Sequence, residues 1–257
     1  MALDPLGFAS HDLAATGAFE VAMDLPRVVF FGRTGEEALQ FFNLNLERCR
    51  GLRLLDCPGG PGSLSALVRK AGVEILAVDP AYHLPEPELE QLCRRDIALT
   101  LGRIAASTAT RPDFDLEGYQ RGKQEALELF LADRRRHPLA YRSGALPELP
   151  LASASFDLVL SGHLLFSYAP LADGGLHGHD GFDLAWHRRA LQELLRVCRG
   201  DLRIYPAHTI SRPAQRHPYL EPLMETLPPG WRWWLEPTPY DQGFDGEVTL
   251  LRIAAGP

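Results

Sequence analysis

The segment Asp56-Cys57-Pro58-Gly59-Gly60-Pro61-Gly62-Ser63 holds the residues most suited to chemistry. It lies between a short apolar strand, Arg53-Leu54-Leu55-Asp56-Cys57, and a stretch in which Leu64, Leu67 and Val68 share one helical face. Glycines at such a turn let the backbone approach a ligand with no side chain in the way. The helix start adds free N–H groups. Seventeen residues beyond Gly62, Asp79 ends the next apolar run, Val73–Val78. A carboxylate there can accept hydrogen bonds from both hydroxyls of a ribose. A glycine turn plus an acid ending the adjacent strand is the general recipe for holding an adenosine-bearing cofactor in an open parallel sheet.

The details of the loop choose among such cofactors. A dinucleotide loop reads Gly-x-Gly-x-x-Gly to admit a pyrophosphate. Here Gly60-Pro61-Gly62 is followed by Ser65 where the third glycine would fall. Asp56 stands at the end of the first strand, where its charge would repel a pyrophosphate and attract an amino-acid ammonium group. S-adenosylmethionine is therefore favoured over NAD.

The segment resembles the glycine-rich first motif of the class I S-adenosylmethionine-dependent methyltransferases, Asp/Glu-x-Gly-x-Gly-x-Gly, with Pro58 at the first glycine and Gly60 and Gly62 at the other two. Asp79 is similar to the ribose-binding acid of that family's second motif. Leu149-Pro150-Leu151 followed by Ser155-Phe156-Asp157-Leu158-Val159 is similar to its approach to the fourth strand, and the helix to Leu195-Arg196-Val197 and the strand Leu202–Tyr205 follow in order. The resemblance covers residues 50–80 and 140–210. The Asp-Cys-Pro loop, with Gly32-Arg33 before it, resembles an uncharacterised bacterial subgroup. It implies S-adenosylmethionine as cofactor and S-adenosylhomocysteine as product. Asp56, Pro58, Gly59, Gly60 and Gly62 then surround the methionine end, Asp79 and Pro80 the ribose, Ala145 and Leu146 the adenine, with Ser161 and Gly162 at the end of the fourth strand. Two departures matter. Pro58 removes one N–H from the loop, and Ala145 stands where the family often has an acid for the adenine amino group, which leaves the adenine to backbone groups and apolar packing.

Methyl transfer is an in-line displacement in which proximity and alignment alone can be worth about 7–11 kcal/mol. A base is needed only where the nucleophile must lose a proton, so no fixed catalytic motif is expected. His163, just beyond the fourth strand, is the candidate base; the plain alternative is a histidine bonding its own loop. Arg33 can pair with the methionine carboxylate or be a surface arginine. Tyr205, Pro206 and His208 follow the fifth strand and can line an acceptor pocket. Asp173-Gly-Gly-Leu-His177-Gly-His179-Asp180 reads as a loop closing on substrate; its spacing is not that of a known zinc site, and no metal is expected. Trp231 and Trp233 share a sheet face and read as core. Arg134-Arg135-Arg136-His137 reads as a solvated helix end, and Cys57 as a small buried residue.

These groups need a scaffold. Short apolar strands (53–57, 73–78, 156–160, 202–205) alternate with helices, which implies an α/β protein with a mostly parallel sheet covered on both faces. The resemblance makes it a doubly wound sheet of seven strands with the last antiparallel; the tail runs Trp231–Leu235 and Glu247–Ile253 supply an antiparallel pair. Val28–Phe31 is a further apolar run, stopped by Gly32. Residues 84–140 have helical periodicity without a strand and read as a helical insert, a lid over the strands' C-terminal edge. The expectation is one domain over 1–257, with 1–49 an N-terminal arm and helix.

The 257 residues are 46% hydrophobic and 23% charged, which excludes wholesale disorder. A net charge of −7 argues against a surface built for nucleic acid. Four dispersed cysteines, no basic-then-apolar start and no long apolar run point to a cytoplasmic protein without membrane spans; the oligomeric state is open. The leading reading is a methyltransferase with a small-molecule acceptor. A nicotinamide-dependent oxidoreductase and a non-catalytic S-adenosylmethionine-binding module are the alternatives.

Overall fold

The computed structural model describes residues 24–107, 110–178 and 182–256. Seven strands form one sheet in the order β3-β2-β1-β4-β5-β7-β6. They are β1 (Arg53–Asp56), β2 (Glu74–Val78), β3 (Tyr141–Arg142), β4 (Phe156–Gly162), β5 (Cys198–Tyr205), β6 (Trp231–Pro237) and β7 (Thr249–Ala255). β1 to β5 are parallel to one another, and β7 is antiparallel to both β5 and β6. The order of the strands reverses between β1 and β4, and in open α/β sheets the crevice at that point is where ligands sit. Asp56 ends β1 and Gly162 ends β4, so both reach that crevice.

The first helix, α1 (Gly35–Phe41), begins with a capping box: the Thr34 hydroxyl accepts from the Glu37 N–H, and the Glu37 carboxylate accepts from the Thr34 N–H at 2.7 Å. α2 (Leu64–Lys70) ends as the sequence implies, with Gly72 at φ +80°. Its start differs. Ser63 makes no cap bond to its own helix; its hydroxyl accepts from the Gly35 N–H at 2.8 Å. The two helices α1 and α2 are thereby tied through the glycine loop. Asp183 caps α5 (Leu184–Val197) through the Trp186 N–H, and the short α6 (Leu220–Met224) covers the same core.

The insert comprises α3 (Glu86–Ala105) and α4 (Leu116–Arg136). Both bury an apolar face beside β2 and β3, where Leu89, Cys93, Leu127 and Phe130 meet Ala77, Tyr82 and Tyr141. Its connecting loop reaches the tail of the chain: the Arg111 N–H donates to the Gly243 carbonyl at 2.8 Å, and the guanidinium meets Asp241 at 2.6 Å. The basic run at the end of α4 is used locally, Arg134 donating to the Tyr82 and Leu84 carbonyls and Arg135 to Glu86. Trp231 and Trp233 pack against the core while Trp234 turns outward beneath Arg252.

The run Val28–Phe31 takes no part in the sheet. Two of its N–H groups are satisfied by side chains instead: Tyr168 Oη accepts from Val29 at 3.1 Å and Asp96 Oδ2 from Phe30 at 2.6 Å. With Arg27 paired to Asp96 and the Leu25 N–H donating to the Leu176 carbonyl, residues 25–33 form a strap.

Candidate active site

A cavity of about 360 Å³ opens at the C-terminal ends of β1, β2 and β4, beneath the strap. This is within the usual size range of ligand pockets. Arg33, Asp56, Pro58, Gly59, Gly60, Gly62, Asp79, Pro80, Ala145, Leu146, Gly162 and His163 all line it. Residues up to 130 positions apart in sequence therefore share one wall. The other positions singled out in the sequence fall elsewhere. Ser161 is buried under the cavity, its hydroxyl without a partner. Tyr205 and His208 are fully buried: Tyr205 stacks on Phe41 with centroids 4.9 Å apart, and His208 Nδ1 lies 3.1 Å from the Thr209 carbonyl oxygen. Neither is among the lining residues. His177 pairs with Leu25 of the strap; His179 lies outside the described residues.

The glycine loop is fixed from three sides. The Gly59 N–H donates to the Val78 carbonyl at 2.9 Å, the Tyr82 hydroxyl to the Gly60 carbonyl at 2.6 Å, and the Ser63 N–H to the Arg33 carbonyl at 3.0 Å. Gly60 has φ +52° with open space where a side chain would stand, so its backbone faces a ligand unobstructed. Gly32 is tighter: a Cβ there would run into the Pro61 carbonyl. Gly32→Ala is therefore expected to destabilise the protein by ~1–3 kcal/mol, as overpacking does, and to loosen the loop. Thermal unfolding checks this; an unchanged melting temperature would show that the strap does not seat on the loop.

The Asp79 carboxylate accepts from the Gly60 N–H at 3.1 Å through Oδ2 and from the Ala81 N–H at 2.9 Å through Oδ1. Each oxygen keeps an unused lone pair. Burial pushes its pKa up to about 6, against those two bonds. Asp56 receives no protein hydrogen bond among the described residues, and burial, then the charge of Asp79, push it up to about 8. Cys57 beside it is buried and its thiol is pushed well up by burial, so it is not a nucleophile at neutral pH.

At the far end, His163 has φ +54° and its ring sits edge-on to Phe41 and Tyr205 at 5.1 and 5.3 Å. Its Nε2 is buried without a partner. Burial, then the charges of Arg33 and Lys123, hold its pKa well below the usual histidine range, so the imidazole is neutral. The Arg33 guanidinium lies over Phe31 and Tyr119, 4.9 and 5.5 Å from the ring centroids. Burial works against its charge and the Glu37 carboxylate favours it, and the pKa lies above the ordinary arginine value, so the guanidinium is charged.

Sequence reasoning missed the group behind Arg33. Lys123, fully buried, gives its ammonium to Glu37 at 2.7 and 2.8 Å and stands 4.0 Å from the Tyr119 centroid. The Tyr240 hydroxyl donates to the same Glu37 at 3.0 Å. The only signal was that Lys123 is one of two lysines in the chain.

The strand order, with β7 as the reversed strand, defines a doubly wound Rossmann-like sheet. No family model matches the sequence. An uncharacterised protein of Methanocaldococcus jannaschii, MJ0045, is 23% identical over 188 residues, 72% of this chain and 80% of that protein. Among solved structures, the chain is similar to magnesium protoporphyrin IX methyltransferase from Synechocystis, with bound S-adenosylmethionine, at TM-score 0.40 and 14% identity over 82% of this chain and 73% of that one. It is similar to an S-adenosylmethionine-dependent methyltransferase from Methanosarcina mazei at TM-score 0.40 and 12% identity, over 80% and 92%. These likenesses are distant ones of fold; the chemistry rests on this chain's own residues. No helix among the described residues is long and apolar enough to cross a membrane.

Proposed function

We propose that this protein is an S-adenosylmethionine-dependent methyltransferase with a small-molecule acceptor. One observation carries the reading: Asp56, the glycine loop and Asp79 line the same cavity, with Asp56 lacking a hydrogen-bond donor among the described residues and Asp79 keeping a lone pair on each oxygen. The two spare lone pairs of Asp79 suit the two ribose hydroxyls. Gly60, open to the cavity, leaves room for the methionine chain. Asp56, with no donor of its own, suits the ammonium group, whose charge draws the carboxyl into its ionised form. Ala145 and Leu146 flank the adenine at the cavity wall.

Bound there, held by Asp56, the glycine loop and Asp79, S-adenosylmethionine would supply a methyl group on a cationic sulfur for transfer to the acceptor's lone pair, with S-adenosylhomocysteine as the product. The strap and α3 exclude water from the approach. His163, neutral and with Nε2 unpartnered, takes the acceptor's proton at that atom. His163→Ala is expected to lower kcat by about 10²–10⁴-fold with little change in cofactor affinity; full turnover in the variant would remove the histidine from the chemistry.

The reading is tested by calorimetry and thermal shift with S-adenosylmethionine, S-adenosylhomocysteine and NAD. Either sulfur nucleoside at a hundred times its Kd should add about 2.7 kcal/mol of stability, and NAD none. Stabilisation by NAD alone would move the protein to the nicotinamide class, and tight nucleoside binding without turnover on any acceptor to the binding modules.

A further inference from the structure

The cavity wall carries charge of both signs: Asp56 and Asp79 where β1 and β2 end, and Arg33 from the strap, with Lys123 bonded to Glu37 nearby. Lys123 takes both oxygens of the Glu37 carboxylate, and burial, then the charge of Arg33, push its pKa well down. Glu37 also serves the Thr34 N–H and the Tyr240 hydroxyl. Arg33 is left with one long contact, 3.5 Å to its neighbour's carbonyl at Gly32, and a buried Nε with no partner. No carboxylate among the described residues pairs with the Arg33 guanidinium at the cavity wall. A half-buried guanidinium without a carboxylate is costly, and its planar fork fits one well.

The cofactor's own carboxylate is one source of such a group. The position of the guanidinium favours the other. It lies over Phe31 and Tyr119 at the end where His163 sits, and its charge is felt by His163 and Tyr205. Burial and Asp79 are what act on Asp56, where the amino-acid end of the cofactor belongs. The walls around Arg33 are rings: Phe31, Phe41, Phe114 and Tyr119 line this part of the cavity, and ring faces select flat ligands.

We propose that the acceptor is a flat, ring-bearing carboxylic acid whose carboxylate is anchored by Arg33 beside His163. This rests on the methyltransferase reading. Arg33 is the specificity determinant of that site, and neutral molecules of the same shape bind less well.

The probes are benzoate and 2-naphthoate, each against its amide, titrated calorimetrically into the intact protein saturated with S-adenosylhomocysteine. The expected result is a carboxylate at least tenfold tighter than its amide. Arg33→Met should abolish that preference and Arg33→Lys should restore part of it, while both variants keep S-adenosylhomocysteine affinity within about threefold. Equal binding of acid and amide by the native protein overturns the proposal without any variant. A variant that loses S-adenosylhomocysteine tenfold or more but keeps 5′-methylthioadenosine, which lacks the amino-acid tail, also overturns it, and assigns Arg33 to the cofactor. Failure of the native protein to bind S-adenosylhomocysteine at all would instead overturn the methyltransferase reading.

Discussion

Asp79→Ala is expected to weaken S-adenosylhomocysteine binding by about a hundredfold or more. Hydrogen bonds to a charged acceptor are worth about 1.5–3 kcal/mol each, and the two ribose hydroxyls would lose both, at least ~3 kcal/mol or two decades in Kd. A second loss adds to the first. The same carboxylate holds the Gly60 and Ala81 N–H groups, so its removal frees the loop that the ligand lies against. Asp79→Asn, which keeps one acceptor oxygen, should fall between the native protein and the alanine variant. Isothermal calorimetry reads the effect directly. A change of less than twofold in the alanine variant would mean that Asp79 serves only to brace the loop.

The second large effect is a dependence of both stability and affinity on pH, set by Asp56. Its carboxyl is raised from 3.8 to about 8 by burial and by Asp79. The folded, unliganded protein therefore holds a proton that the unfolded chain gives up near 3.8. Stability from this group is fully present below that value and is lost as pH rises towards about 8, at up to ~1.4 kcal/mol per pH unit while one proton separates the two states. Asp79, raised to about 6, acts in the same direction over the lower part of that range. Asp56→Asn cannot ionise, so it should be more stable than the native protein at pH 8 and have a flatter melting profile between pH 5 and 8. The ligand reverses the balance. Its ammonium group needs the carboxylate, so binding expels the proton and affinity should rise by up to about tenfold per unit between pH 6 and 7.5. Calorimetry in buffers of different ionisation enthalpy counts the released proton. Affinity that stays level across this range would show that the ammonium group does not meet Asp56.

The wall of the cavity built by the glycine loop and the two aspartates was legible because its parts are local. A strand, a glycine turn and a helix are contiguous in residues 53–70, and Asp79 ends the next strand of the same βαβ unit. Parallel pairing of β1 with β2 then aligns Asp56 with Ala77, two residues before Asp79, and brings the two carboxylates to one edge. The surroundings of β5 were not legible in the same way. Tyr205 and His208 follow β5 as lining residues would, but Tyr205 turns down between Phe41 and Tyr240, whose positions along the chain give no hint of the stack. Ser63 has the identity and position of a helix cap, yet its hydroxyl serves Gly35, 28 residues earlier.

The sequence by itself determined the α/β class, the glycine loop and the acids that flank it, since alternation of apolar runs and turn residues acts over one or two elements at a time. Tertiary structure decided the charge of the cavity. Glu37, Lys123 and Tyr240 are separated by 86 and 117 residues and meet only when α1, α4 and the tail pack over the strand ends. Burial there decides how readily each group ionises: Lys123 is pushed well down by burial and by Arg33, while the nearby cations hold Glu37 below its usual value. A desolvation energy depends on everything that surrounds a group, and no local pattern of residues encodes it.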